Sequence, residues 1–236
     1  MKNKKLATIP LLMAIVLSVF GFVYASWKDT VYIEGTVEMG SLTLAFDWVE
    51  PAKCDEYWFN HTSGQKVPGE YLGKDVGNCS AYYKDEIDDE HTGKKGYETL
   101  VINVTNAYPQ YYVHTTFKLH NIGLIPIDIC NYTITGEKKN STTMAKVYDL
   151  LWHDPDGDWI GELWEDVNGN GVVDTAGPDL LVINLEITNA LPYQIDPCNT
   201  NKAQIDMDFK QDAEECHVYT IHITVVGVQW NKPCPP

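Results

Sequence analysis

Runs in which every second residue is apolar recur along most of this chain, and they constrain its fold more than any other feature. Leu100, Ile102 and Val104 alternate with polar neighbours in YETLVINVTN, and Val113, Thr115, Phe117 and Leu119 share a face in YYVHTTFKLHNIG. Leu181, Ile183, Leu185 and Ile187 do the same in LLVINLEITN, as do Tyr219, Ile221 and Ile223 in HVYTIHITVVGVQW, where Gly227 permits a bulge. IDICNYTITG reads as a further strand. A period of two places one face of a strand in a core and the other in solvent. Many such short runs, broken by turn signals, predict an all-β antiparallel sandwich with Greek-key connections.

Near the start, Val31, Ile33, Val37 and Met39, then Leu42, Leu44 and Phe46, alternate in WKDTVYIEGTVEMGSLTLAFDWV, two strands joined near Gly40 and Ser41. Two stretches break the pattern. Residues 50–96 lack a sustained period and carry two cysteines and the acidic run KDEIDDEH, so they read as an excursion from the core. In TMAKVYDLLW, Met144, Val147, Leu150 and Leu151 have helical spacing. The sandwich is expected to be one domain over residues 40–236, with insertions near 50–96 and 144–179.

The first residues are Met-Lys-Asn-Lys-Lys, followed by an apolar run from Leu6 to Val23 and a small residue, Ala25, before Ser26. This order describes a secretory signal peptide over residues 1–25 and a mature protein with no membrane segment; a retained membrane anchor is the alternative. Seventeen lysines, no arginine and 33 acids give a net charge of −16. Such acidity excludes nucleic acid and anionic membrane as partners and favours cations. Cys54, Cys79, Cys130, Cys198, Cys216 and Cys234 are an even set without metal-type spacing, which in an exported chain predicts that all six are disulfide-bonded, in pairs the sequence does not resolve. Sequons at Asn60, Asn78, Asn103, Asn131 and Asn140 fit a surface open to N-glycosylation.

The most specific motif is DPDGDWIGELWEDVNGNGVVD, Asp154 to Asp174. A calcium loop needs oxygen ligands on alternate residues and a glycine where the chain turns sharply. Asp166, Asn168 and Asn170 take the first, third and fifth places, Gly171 the sixth, the carbonyl of Val172 the seventh and Asp174 the ninth. Gly177 stands where a closing Glu is usual, and Asp179 is the substitute. Upstream, Asp154, Asp156 and Asp158 repeat the spacing with Glu165 in twelfth place, but Trp159 holds the glycine position. Asp, Asn and Gly also cluster merely because they make turns, yet that account does not explain regular alternation occurring twice. Calcium is the predicted cofactor, organising an excursion of mutually repelling carboxylates. No HExxH, GxSxG or phosphate-cradling loop is present, and the seven histidines are scattered, so catalysis is not expected.

Three segments resemble the TasA and camelysin-like family: ASWKDTVYIEGTVEMGSLTLAFD after the cut, FKLHNIGLIPIDI in the middle and YTIHITVVGVQWN near the end. The resemblance implies a jelly-roll sandwich that builds extracellular fibres, and is nearest to archaeal proteins forming bundling pili and calcium-dependent, cannula-like tubules. It also implies that an N-terminal strand over residues 26–39, with Trp27, Val31, Ile33, Val37 and Met39, completes the sheet of the next subunit in a head-to-tail homopolymer. A freed terminal strand is physically suited to pairing with a neighbour's open edge. The rival reading is a monomeric calcium-stabilised surface adhesin that recognises glycans through Trp159 and Trp164.

Overall fold

A computed structural model describes residues 40–60, 63, 65–69, 77–188 and 194–233. The expected signal peptide, the 26–39 strand and Cys234 lie outside the described residues. Those described contain thirteen strands and no helix: β1 (Leu44–Asp47), β2 (Lys53–Asn60), β3 (Gln65–Pro68), β4 (Asn78–Asp88), β5 (Lys95–Thr105), β6 (Tyr111–Asn121), β7 (Ile127–Asn140), β8 (Lys146–His153), β9 (Ile160–Glu165), β10 (Leu180–Thr188), β11 (Gln194–Ile195), β12 (Thr200–Phe209) and β13 (His217–Gln229). Residues 40–236 form one compact unit.

All pairings are antiparallel, and they close. The order β1-β5-β13-β7-β8-β9-β10-β12-β6 returns to its start because Phe46 of β1 is partnered by Tyr97 of β5 on one side and Leu119 of β6 on the other. The all-β antiparallel expectation is met, but the sheets form a closed nine-strand barrel where two open-edged layers were expected. β2 and β3 continue outward from β6, β4 lies along β5 and β11 along β7.

Alternation sets which side chains fill the barrel. Every odd position of β6 from Tyr111 to Asn121 is buried and every even one half-exposed, so a one-residue slip would turn the core face to water. Leu100, Ile102, Leu185, Ile205, Met207, Ile221 and Ile223 meet these residues in the interior, and Phe46–Phe117 and Phe209–Tyr219 pack with ring centres 5.6 and 5.4 Å apart. The β13 ladder shifts register between Val226 and Gly227. A Cβ at 227 would lie 2.5 Å from Ile127 Cγ2, so the bulge needs glycine for close approach as well as for its bend.

Three expectations are corrected. Residues 50–96 are not an excursion: β2 and β4 run beside the barrel, and Cys54–Cys79 staples them with Cα atoms 5.9 Å apart. Residues 144–151 are not helical, because Met144 sits at φ 56° in the β7–β8 turn, where Asn140 Oδ1 accepts the Thr142 and Thr143 N–H groups, and β8 follows. Cys198 and Cys216 are free and exposed. Cys130 is disulfide-bonded. Of the sequons, Asn78 and Asn131 are exposed while Asn103 and Asn140 are half-buried; the Asn60 side chain is not described.

Candidate metal centre

The acidic motif is two loops separated by β9. Residues 154–159 join β8 to β9, and residues 166–179 join β9 to β10, so they leave opposite ends of a six-residue strand. The second folds back far enough for Gly171 and Val173 to line the same cavity of about 600 Å³ as Asp154, Gly157 and Trp159. The single excursion read from the sequence is thus divided by a core strand, whose Leu163 and Glu165 point inward.

In the first loop, Asp154 accepts the Gly157 N–H at 2.8 Å and the Trp159 N–H at 3.1 Å, and Asp158 accepts that of Ile160 at 2.9 Å. These turns bring one carboxylate oxygen each from Asp154, Asp156 and Asp158 within 4.8 Å of one another; no other such group occurs among the described residues. Trp159, in the sixth place, has φ 69°, and Gly171, in the sixth place of the second loop, has φ 74°. Both loops therefore make the left-handed turn that the calcium template requires, one of them with a residue that pays a steric cost for it. Trp159 is held there by packing edge-on to Tyr132, ring centres 5.1 Å apart.

The second loop is built differently. Asp166 is buried, and its carboxylate accepts N–H groups from Gly169 (2.7 Å), Asn170 (3.1 Å) and Gly171 (2.9 Å). Asn168 accepts from Asn170 at 2.9 Å and Asn170 from Val172 at 2.8 Å. Asp179, also buried, accepts from Val167 at 3.1 Å and Asp174 at 2.9 Å, tying the two ends of the loop together. The Asp174 carboxylate rests against Gly177, where a Cβ would be 2.0 Å from Oδ2; a side chain in the twelfth place would push that carboxylate aside. The loop does not bring Asp166, Asp174 and Asp179 into a carboxylate group like that of the first loop.

Glu165 is not available as a ligand. It is fully buried, with Lys138 Nζ 2.8 Å from Oε1 and 3.0 Å from Oε2, and the same Nζ lies 2.8 Å from Glu214 Oε2. Burial raises the Glu165 pKa, and the lysine opposes that rise. No sequence pattern marks this triad, because Lys138 sits in the polar run GEKKN yet faces inward beside a register shift. Trp164 and Trp159 are half-buried, Trp164 donating to Glu162 at 3.0 Å, so neither is the exposed aromatic imagined for glycan binding.

Sequence reading also missed an acidic outer face. Asp156 and Asp158 rim a cavity of about 540 Å³ with Glu162, Glu186, Asp206 and Asp208, and Lys66 and His153 are the basic side chains among the described residues of its lining. Glu186 is directly opposite Asp206 across β10 and β12, a like-charge pairing that destabilises a sheet unless a cation neutralises it. His114 Nδ1 lies 2.7 Å from Asp206 Oδ1, and Lys66 lies over the Tyr112 ring at 3.1 Å with burial lowering its pKa. Glu162, Glu186 and the pair Asp206 and Asp208 come from three separate strands, so the signal appears only once the register is known.

No protein-family model, curated protein or solved structure matches this chain.

Proposed function

We propose that this protein is an exported structural subunit that polymerises head to tail by strand donation, with calcium held by the Asp154–Asp156–Asp158 loop. In this reading the barrel is a jelly roll joined at its seams, and the segment over residues 26–39 of one copy enters the seam of the next. One observation carries it. β13 pairs with β5 only as far as Thr224, but with β7 as far as Gln229. Among the described residues, the edge from Val225 to Gln229 that faces away from β7 therefore has no strand partner. Beside it opens a cleft of about 230 Å³ lined by Leu44, Ala45, Phe46, Ile87, Leu119 and Val225, with Glu98 and Thr224 as its polar members. Unpaired main-chain groups next to apolar side chains suit an added strand whose alternate residues are apolar, as Val31, Ile33, Val37 and Met39 are.

Calcium fits the first loop because its ligands are hard, clustered and solvent-accessible, and because the acidic cavity beside it concentrates cations. Electron microscopy of the mature protein, with calcium and with chelator, is the test. Filaments are expected with calcium. Deleting residues 26–36, or combining Val31→Asp with Ile33→Asp, should leave soluble monomers that still bind calcium, and a peptide covering residues 26–39 should cap the truncated form. Normal filaments from the deletion variant would eliminate strand donation, and monomers from the intact mature protein would favour the adhesin reading.

A further inference from the structure

Cys198 and Cys216 are both exposed, and both are free. Cys198 lies in the turn before β12, its N–H donating to the Asn121 carbonyl at the end of β6. Cys216 lies just before β13, its carbonyl accepting from Ser141. Between the two turns runs β12, and its ten residues span about 30 Å at roughly 3.3 Å per residue. The start of β6 is at the Cys216 end, where Gln110 bonds to Phe209 and Asn106 to His217. A disulfide requires Cα atoms within about 7 Å, so these cysteines cannot reach each other within one chain.

Elsewhere the chain is oxidised: Cys54 is bonded to Cys79, and Cys130 is bonded as well. A protein that carries such bonds resides where accessible thiols do not persist reduced. Two solvent-facing thiols at opposite poles then have partners of matching chemistry in the thiols of a second copy. We propose that Cys216 of one copy and Cys198 of the next form an intermolecular disulfide that locks the copies head to tail. A contact between unlike poles propagates from copy to copy, as an open filament where the rotation between copies does not close a ring. The unlike pairing makes every joint the same, as a head-to-tail polymer requires.

The chemistry is thiol–disulfide exchange with an oxidised disulfide carrier. One thiolate attacks the carrier's S–S bond and forms a mixed disulfide, releasing the first carrier thiol. The second cysteine's thiolate then attacks the protein sulfur of that mixed disulfide and displaces the second carrier thiol. Two protein thiols are oxidised, one carrier disulfide is reduced, and the two protons pass to the carrier.

This joint deepens the polymer reading and takes its direction from it, but it is tested separately. Full mature protein is incubated with an oxidised and reduced glutathione mixture, then run on denaturing gels without reductant. A ladder of dimer, trimer and longer species is expected, collapsing to monomer with dithiothreitol and yielding a cross-linked peptide that contains Cys198 and Cys216. Both cysteines occupy left-handed turn positions, φ 67° and 61°. Serine makes the same steric demand there, so Cys198→Ser and Cys216→Ser should fold and should each run as monomer. Dimers from either single variant would show like-to-like pairing and overturn the proposal. So would two alkylatable thiols per chain in assembled protein. Filaments by microscopy without a ladder would sink the joint and leave strand donation standing. A ladder without filaments would do the reverse.

Discussion

The two halves of the acidic motif share a spacing and differ in what they do with it. Around Asp166 the carboxylates turn inward and are saturated by the loop's own N–H groups. Around Asp154 they turn outward and crowd one another. Alternating acids with a left-handed sixth residue therefore define a loop shape, and burial decides how completely the loop's own N–H groups saturate its carboxylates. The inward carboxylates are saturated; the outward ones stay crowded, and the proposed calcium would sit there.

The largest expected effect tests the anchor of the buried loop. Lys138→Ala leaves the buried Glu165 without its counter-charge, and breaking a buried pair in this way typically costs about 3–5 kcal/mol. Denaturant unfolding should show that loss while calcium titration of the first loop stays unchanged. Next, Asp166→Ala removes the acceptor of three backbone N–H groups and should cost about 2–3 kcal/mol, because bonds to a charged group are worth about 1.5–3 kcal/mol each and water recovers part of them. The loss should be equal in calcium and in chelator. A deficit confined to calcium-loaded protein would mean that the ion orders this loop, and the comparison would collapse.

Smaller effects should follow from the exposed loop. Replacing Asp154, Asp156 and Asp158 together with Asn keeps the turn acceptors but removes the charge. Calorimetry should then show loss of calcium binding, with stability in chelator changed by less than about 0.5 kcal/mol, as for other surface substitutions.

Asp89 extends the comparison to a carboxylate outside the motif. It is buried, and although burial would raise its pKa, hydrogen bonds from the Thr43 hydroxyl and the Thr92 N–H hold it well below the ordinary range. A depressed folded-state pKa contributes stability above the unfolded value, near 4, and that contribution is lost as pH falls below it. The wild type should therefore lose stability more steeply than Asp89→Asn below about pH 4, a difference that thermal melts at several pH values will read.

How much was legible depended on which side chains face inward. β5, β6, β10 and β13 announce themselves because their buried positions are Leu, Ile, Val and Phe. β2 and β4 present Cys54, Glu56, Cys79, Ala81 and Tyr83 to the same side, with Glu56 accepting the Cys79 N–H at 2.7 Å, and no aliphatic period survives. In β8 the inward set is Tyr148, Leu150 and Trp152, but exposed Met144 and Val147 imitated a helix. β9 vanished into the acid count because Glu162 and Glu165 continue the pattern around it, although Glu165 faces the core. Closure was unreadable for a different reason: it depends on four-residue β1 pairing with strands that begin about fifty and seventy residues later, which no local period encodes.

The staple between β2 and β4 has a consequence for chain continuity. Cys54 and Cys79 are 25 residues apart, and both strands lie outside the nine-strand circuit. A protease that cuts between them therefore severs the polypeptide without separating its parts. The nicked molecule should run at full mass on a denaturing gel until reductant is added, and in its native state should melt as a single unit. The barrel can thus lose one peptide bond on its flank and remain one covalent object.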